Sequence, residues 1–261
     1  MNILFIIPIL VGWLAGVIIN YISDALPKIR QINPPTQLDV NIFSQLKKYL
    51  LFQNFSEHER KTRVLITQVL ILILSLYTWI QVPPKLGYAL GMILMIYLAV
   101  VFVIDMEHRL ILHPTSIVGS LLALGLGTFS NGLSATLLGG LAGFVILFAF
   151  YYFGVLFARL RTKRMLAQGQ EADDEEALGA GDVILATILG LLVGWDVIWF
   201  CILVSILLGG IFSFLLIVFL IVSGRYNKTA LMMFIPYGPY FIISAFLLIY
   251  FPSFVQLFLP K

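Results

Sequence analysis

Two acidic residues sit where an acid is expensive. Asp105 closes the charge-free run Leu86–Ile104, and Asp182 opens the apolar run that continues through Val183, Ile184 and Leu185. A carboxylate at membrane depth is costly, so such acids mark reaction or transport sites by default. Each also has a structural reading. Asp105 could pair with Arg109 one turn further along a continuing helix, and Asp182, preceded by Gly179-Ala180-Gly181, suits a helix N-cap. Together the two could do more. Carboxylates within hydrogen-bonding range in a poorly solvated cavity cannot both ionise and hold one proton between them. One then takes a proton from water while the other, protonated, polarises a carbonyl, which is the chemistry of amide hydrolysis. Such a pair titrates as a unit, so the sequence leaves either acid open as the base. Gly179 and Gly181, lacking Cβ atoms, would let an extended backbone approach Asp182 closely; a flexible loop end explains the same spacing.

The elements that would position these acids follow from composition. Of the 261 residues, 61% are apolar and 11% charged, against about 45–50% and about 25% in an ordinary soluble domain. The excess forms long runs, each near the roughly 20 residues that cross a bilayer core. Hydropathy predicts an all-α, polytopic membrane protein with eight spans, at Ile3–Tyr21, Val64–Gln81, Leu86–Ile104, Thr115–Thr128, Leu133–Phe157, Asp182–Gly194, Val197–Val222 and Leu231–Phe251. The fourth and sixth are the shortest. Seven Lys/Arg fall in Ile22–Arg63, one in Asp105–Pro114, four in Ala158–Gly181 and two in Ser223–Ala230, leaving Lys85 and Lys261 for the other side. The positive-inside bias then predicts cytoplasmic basic connections and both termini outside, with Asp105 and Asp182 at the cytoplasmic edge. No Lys or Arg precedes the first run, so it reads as a retained anchor.

The remaining signals narrow the chemistry. A single cysteine, Cys201, allows neither an intrachain disulfide nor a cysteine zinc cluster. The basic residues are dispersed between spans, so no nucleic-acid partner is expected, and the acidic run Glu171–Glu176 reads as a solvated linker. His58 lies among loop charges, and three histidines without HExxH spacing exclude a metalloprotease. No serine nucleophile with a base is found at span depth. Gly139 with Gly143, and Gly190 with Gly194, have the spacing of close helix contacts.

With these residues in place the chain resembles the type IV prepilin peptidases, within the GxGD class of intramembrane aspartyl proteases. Gly16-Val-Ile-Ile-Asn20 followed by Leu26-Pro27 is similar to the family's N-terminal signature, and Ile104-Asp105-Met-Glu-His108-Arg to the segment of its first catalytic acid. Gly179-Ala-Gly181-Asp182-Val-Ile-Leu, with Gly190 eight residues later, resembles the second catalytic segment, and Ile235-Pro236-Tyr-Gly238-Pro239 the closing motif. The resemblance implies Asp105 and Asp182 as the catalytic pair. It implies as substrate a prepilin or pseudopilin whose apolar helix lies in the bilayer while its basic leader is cut at the cytoplasmic face of a bacterial inner membrane. Gly179, Gly181, Pro236, Gly238 and Pro239 would border that substrate, and the Pro-Tyr-Gly-Pro stretch should kink the last span and expose backbone. Proteolysis would need no cofactor.

Three departures from the family pattern bear on function. Many members carry paired Cys-x-x-Cys motifs in the first cytoplasmic segment; Ile22–Arg63 has no cysteine, so no zinc is expected. Many also N-methylate the new terminus with S-adenosylmethionine, which the N-terminal signature favours and the missing cysteines disfavour. His113 stands eight residues after Asp105 where the family has Asp or Asn, and Ile184 two after Asp182 where Lys is frequent. His113 reads as a helix start before Pro114 or as a group tuning the pair, and His108 lies on the face of Asp105 if that helix continues. The expected organisation is residues 1–63 as an anchor with a cytoplasmic segment, and 64–261 as the peptidase membrane domain. Three other functions fit parts of the pattern. A proton-coupled carrier would use intramembrane acids, though nearer the midplane; a preflagellin-type GxGD protease would change the substrate; an inactive assembly scaffold would keep the fold.

Overall fold

The computed structural model describes residues 5–30, 46, 47, 49, 50, 58–167, 179–224 and 236–251, and no β-strand occurs among them. Eight long helices follow in order: α1 (Ile6–Arg30), α2 (His58–Ile80), α3 (Gly87–His108), α4 (His113–Asn131), α5 (Leu133–Ala167), α6 (Ala180–Val193), α7 (Trp195–Val222) and α8 (Gly238–Tyr250). Each expected span overlaps one of them among the described residues. Five, namely α1, α2, α3, α5 and α7, are long and apolar enough to cross a membrane. At 1.5 Å per residue α6 is only about 21 Å long, short of the roughly 30 Å hydrocarbon core. The exposed residues of the long helices are themselves apolar, as Leu65, Ile66, Val69, Leu70 and Ile73 of α2 and Leu137, Leu138, Leu141 and Phe144 of α5 show. Such faces suit hydrocarbon, where only internally bonded backbone is tolerated, and identify a multi-pass membrane protein.

The chain divides into two compact units, Met1–Leu112 with Tyr250–Gln256, and His113–Ile249 with Leu257–Lys261. In the first, α1 packs on α2 and α3. Small residues permit the close approach: a Cβ on Gly12 would lie 2.8 Å from Ser75 Cβ, and one on Gly16 would overlap the Gln68 carboxamide. Polar side chains then fasten the seam. Ser75 Oγ donates to the Pro8 carbonyl at 2.7 Å, Gln68 Nε2 to Trp13 O at 2.7 Å, and Asn20 Nδ2 to Gly16 O at 2.9 Å and Val64 O at 3.3 Å. Tyr250 closes the far end by donating its hydroxyl to Gly91 O at 2.5 Å, beside the stacked rings of Tyr77 and Phe251.

In the second unit α6 is wrapped by α5, α4 and α7. The expected small-residue contacts form: Gly139 faces Gly190 and Gly194, Gly143 faces the Ala186 carbonyl, and Gly127 faces the Leu191 carbonyl. In each case a Cβ would collide with backbone, so these helices touch main chain to main chain. Gly194, at φ +81, makes the turn from α6 to α7 and presses on Asn131, whose Nδ2 donates to Leu192 O at 3.1 Å. Helix α8 meets α7 through Ser244, which donates to Cys201 O at 2.7 Å, and through Tyr240 against Phe212.

Helix α8 corrects one expectation. It begins at Gly238, so Pro236 and Tyr237 precede the helix instead of kinking it, while residues 231–235 of the expected span lie outside the described residues. Pro239 falls in the first turn, where a missing N–H removes no helical bond.

Candidate active site

Asp105 lies in the last turn of α3, in the first unit, and is 4% exposed. Helix α3 is the most enclosed of the long helices, which carries the acid out of water along with Val101, Val103 and Ile104. The helix does not continue through Arg109 as the pairing with Asp105 would require. Arg109 takes a left-handed conformation, φ 53 and ψ 40, and its backbone N–H donates to the Asp105 carbonyl at 2.8 Å. A non-glycine residue in that region is uncommon; here it ends the helix within one turn of the acid. His108 is the last helical residue, with Nε2 3.9 Å from Glu107 Oε2. His113 is exposed at the first position of α4 with Pro114 next, as a helix-start residue would be.

Asp182 lies in the second unit, in the first turn of α6. It is not the N-cap. That position belongs to Gly179, in extended conformation at φ −81 and ψ 148, and Asp182 stands three residues inside the helix. The two close a reciprocal loop: the Gly179 N–H donates to the Asp182 carboxylate at 3.2 Å, and the Asp182 N–H donates to the Gly179 carbonyl at 3.0 Å. A carboxylate in this first turn satisfies a free amide and faces the positive end of the helix, so the same acid serves either position. Gly179 is exposed, and a Cβ there would meet nothing nearer than Asp182 Oδ2 at 3.7 Å. In the closing motif Gly238 and Pro239 are buried, Pro236 is half-buried and Tyr237 exposed.

The N-terminal signature has a mechanical role inside the first unit. Gly16 admits Gln68, and Asn20, fully buried, ties α1 to α2; Pro27 stands inside α1, where it removes the donor for the Ser23 carbonyl, and Leu26 is half-buried beside it. Sequence reasoning passed over a neighbouring group. Asp24 is buried, accepts the Tyr49 hydroxyl, and is bonded by Arg63 Nη2 at 2.6 Å. Its signal was available: Asp24 follows Asn20 by one helical turn and is the sole acid of α1. Among the described residues no group of three His, Cys, Asp or Glu could hold a metal ion.

Fold and composition together define a multi-pass helical membrane protein, with Asp105 buried in the first unit and Asp182 half-buried in the second. Residues 92–214, slightly under half of the chain, match the type IV leader peptidase family, and the matched stretch runs from α3 into α7 through both Asp105 and Asp182. The matched stretch is similar to that family, and the similarity indicates a peptidase. Comparison with curated proteins and with solved structures gives no match.

Proposed function

We propose that the protein is a membrane-embedded aspartyl endopeptidase that removes the short leader of type IV prepilin or pseudopilin precursors, with Asp105 and Asp182 as its catalytic pair. The observation that carries this reading is the family match, which encloses both acids. In the proposed reaction one carboxylate takes a proton from water as the oxygen attacks the scissile carbonyl, and the other, protonated, polarises that carbonyl. The amide C–N bond then breaks as a proton passes to the leaving nitrogen. The exposed Gly179 supports the approach of an extended substrate backbone to Asp182, with Gly181, Pro236, Gly238 and Pro239 as further borders. The basic connections support cleavage at the cytoplasmic face of a bacterial inner membrane, with the substrate's apolar helix held in the bilayer.

An accompanying N-methylation of the new terminus, which would consume S-adenosylmethionine, is favoured by the N-terminal signature and disfavoured by the missing cysteines. Most of the segment 31–57 lies outside the described residues.

Co-expression with a prepilin tests it through the intact mass of the pilin. Wild type should remove the leader, and Asp105→Asn and Asp182→Asn should leave the precursor whole. An inert wild type on several prepilins would refute the reading, and an added methyl mass would show the second activity.

A further inference from the structure

The peptidase reading uses Asp105 and leaves a chain of charges beside it without a role. Asp24 of α1 is 6% exposed and holds two partners, Tyr49 through one carboxylate oxygen and Arg63 Nη2 through the other, the latter at 2.6 Å. The same guanidinium reaches a second acid, with Nε 3.2 Å from Glu107 Oε1. Arg63 is mostly buried, its side chain 16% exposed, and so lies between a carboxylate from α1 and one from α3. Enclosing Asp24 and Arg63 is expensive, and such a pair is weak evidence for stability; its better-attested use is to specify one geometry among several.

The geometry it specifies is the end of α3. Glu107 is two residues beyond Asp105, in a final turn that stops at the left-handed Arg109. Terminal turns open readily unless tied down, and here the tie runs through Glu107 to Arg63 and on to α1. The planar fork of arginine suits the task because two of its nitrogens address two acids at once; a lysine has a single nitrogen and cannot span them in the same way.

We infer that Arg63 is a positioning residue for the peptidase reaction, clamping the last turn of α3 to α1 through Glu107 and Asp24 and so fixing the backbone that carries Asp105. The inference rests on the reading of Asp105 as catalytic. It makes the first two helices part of the cleavage machinery.

The test uses the full chain in lipid nanodiscs, with a prepilin as substrate, and compares wild type, Arg63→Lys, Glu107→Gln, the double variant and Asp105→Asn. Glu107 is 33% exposed, so its glutamine variant should fold even if changes at Arg63 do not. Arg63→Lys and Glu107→Gln should each lower kcat about tenfold or more, since small misplacements of a reacting group are costly, with KM within about twofold. The double variant should be no slower than the slower single one. Hydrogen exchange of the amides at 106–109 should quicken about tenfold in Glu107→Gln. A merely structural role would lower the amount of folded protein and leave kcat per folded molecule unchanged. Unchanged kcat and unchanged exchange in Glu107→Gln overturn the clamp. If Asp105→Asn cleaves like wild type, the peptidase reading fails instead, and the exchange measurement still decides whether Arg63 and Glu107 hold the helix end.

Discussion

In the first unit the helix bearing Asp105 is fastened by side chains, whereas in the second the helix bearing Asp182 is fastened by their absence. Helix α1 carries Asn20 and Asp24, whose polar groups reach across to Val64 and Arg63 of α2, and Arg63 in turn reaches Glu107 of α3. Around α6 the contacts are glycines, where Gly139, Gly143 and Gly127 bring carbonyls of Gly190, Ala186 and Leu191 close enough that no Cβ would fit. Length explains the difference. Helix α3, with 22 residues, has room for a polar fastening at its end, while α6, with 14, has little side-chain surface to bury and gains its hold by close backbone approach. Two acids of the same kind can thus be placed by polar specification or by packing, and the two respond differently to substitution.

The sharpest way to break the contrast is at the glycine seam. Gly190→Val would drive a branched side chain into the Gly139 carbonyl, which backbone cannot avoid, and should destabilise the second unit by about 3 kcal/mol or more, read as loss of folded protein in thermal unfolding. The first unit should yield less. Asn20→Ala removes bonds to the Gly16 and Val64 carbonyls and should cost about 1–2 kcal/mol in the same assay, with cleavage per folded molecule little changed. Smallest in stability is Gly179→Ala. Among the described residues a Cβ there meets only ordinary contacts and the conformation is ordinary, so stability should move by less than about 1 kcal/mol. Cleavage should nonetheless slow with a raised KM if a substrate backbone lies against Gly179, which steady-state kinetics would show; unchanged KM would remove Gly179 from the substrate path.

The contrast also governs what could be read from the sequence. The helices were legible because charge-free runs of that length have few other solutions in water or lipid, and five of them are long and apolar enough to span; the seam was legible because glycines four residues apart lie on one helix face. Asp182 and its glycines pointed to a helix start, yet the cap was displaced by three residues, because a carboxylate in the first turn serves as well at the third position as at the first. The end of α3 at Arg109 carried no mark, since nothing about an arginine announces a left-handed backbone. Asp24 and Arg63 are separated by 39 residues and belong to different helices, and counting Arg63 among the loop charges hid its partner. Tertiary pairing of that kind leaves no periodicity to find.

The central claim is that Asp105 and Asp182, placed by such different means, act as one catalytic unit. Single-turnover cleavage of a prepilin by the full chain in nanodiscs tests it most directly, with Asp105→Asn, Asp182→Asn and the double variant measured at equal amounts of folded protein. Groups that act as a unit lose their effect together, so each single variant should fall by about 10³-fold or more and the double variant no further. A single variant that stays folded and keeps a rate within about tenfold of wild type, or a double variant whose loss is the product of the two single losses, would contradict the account.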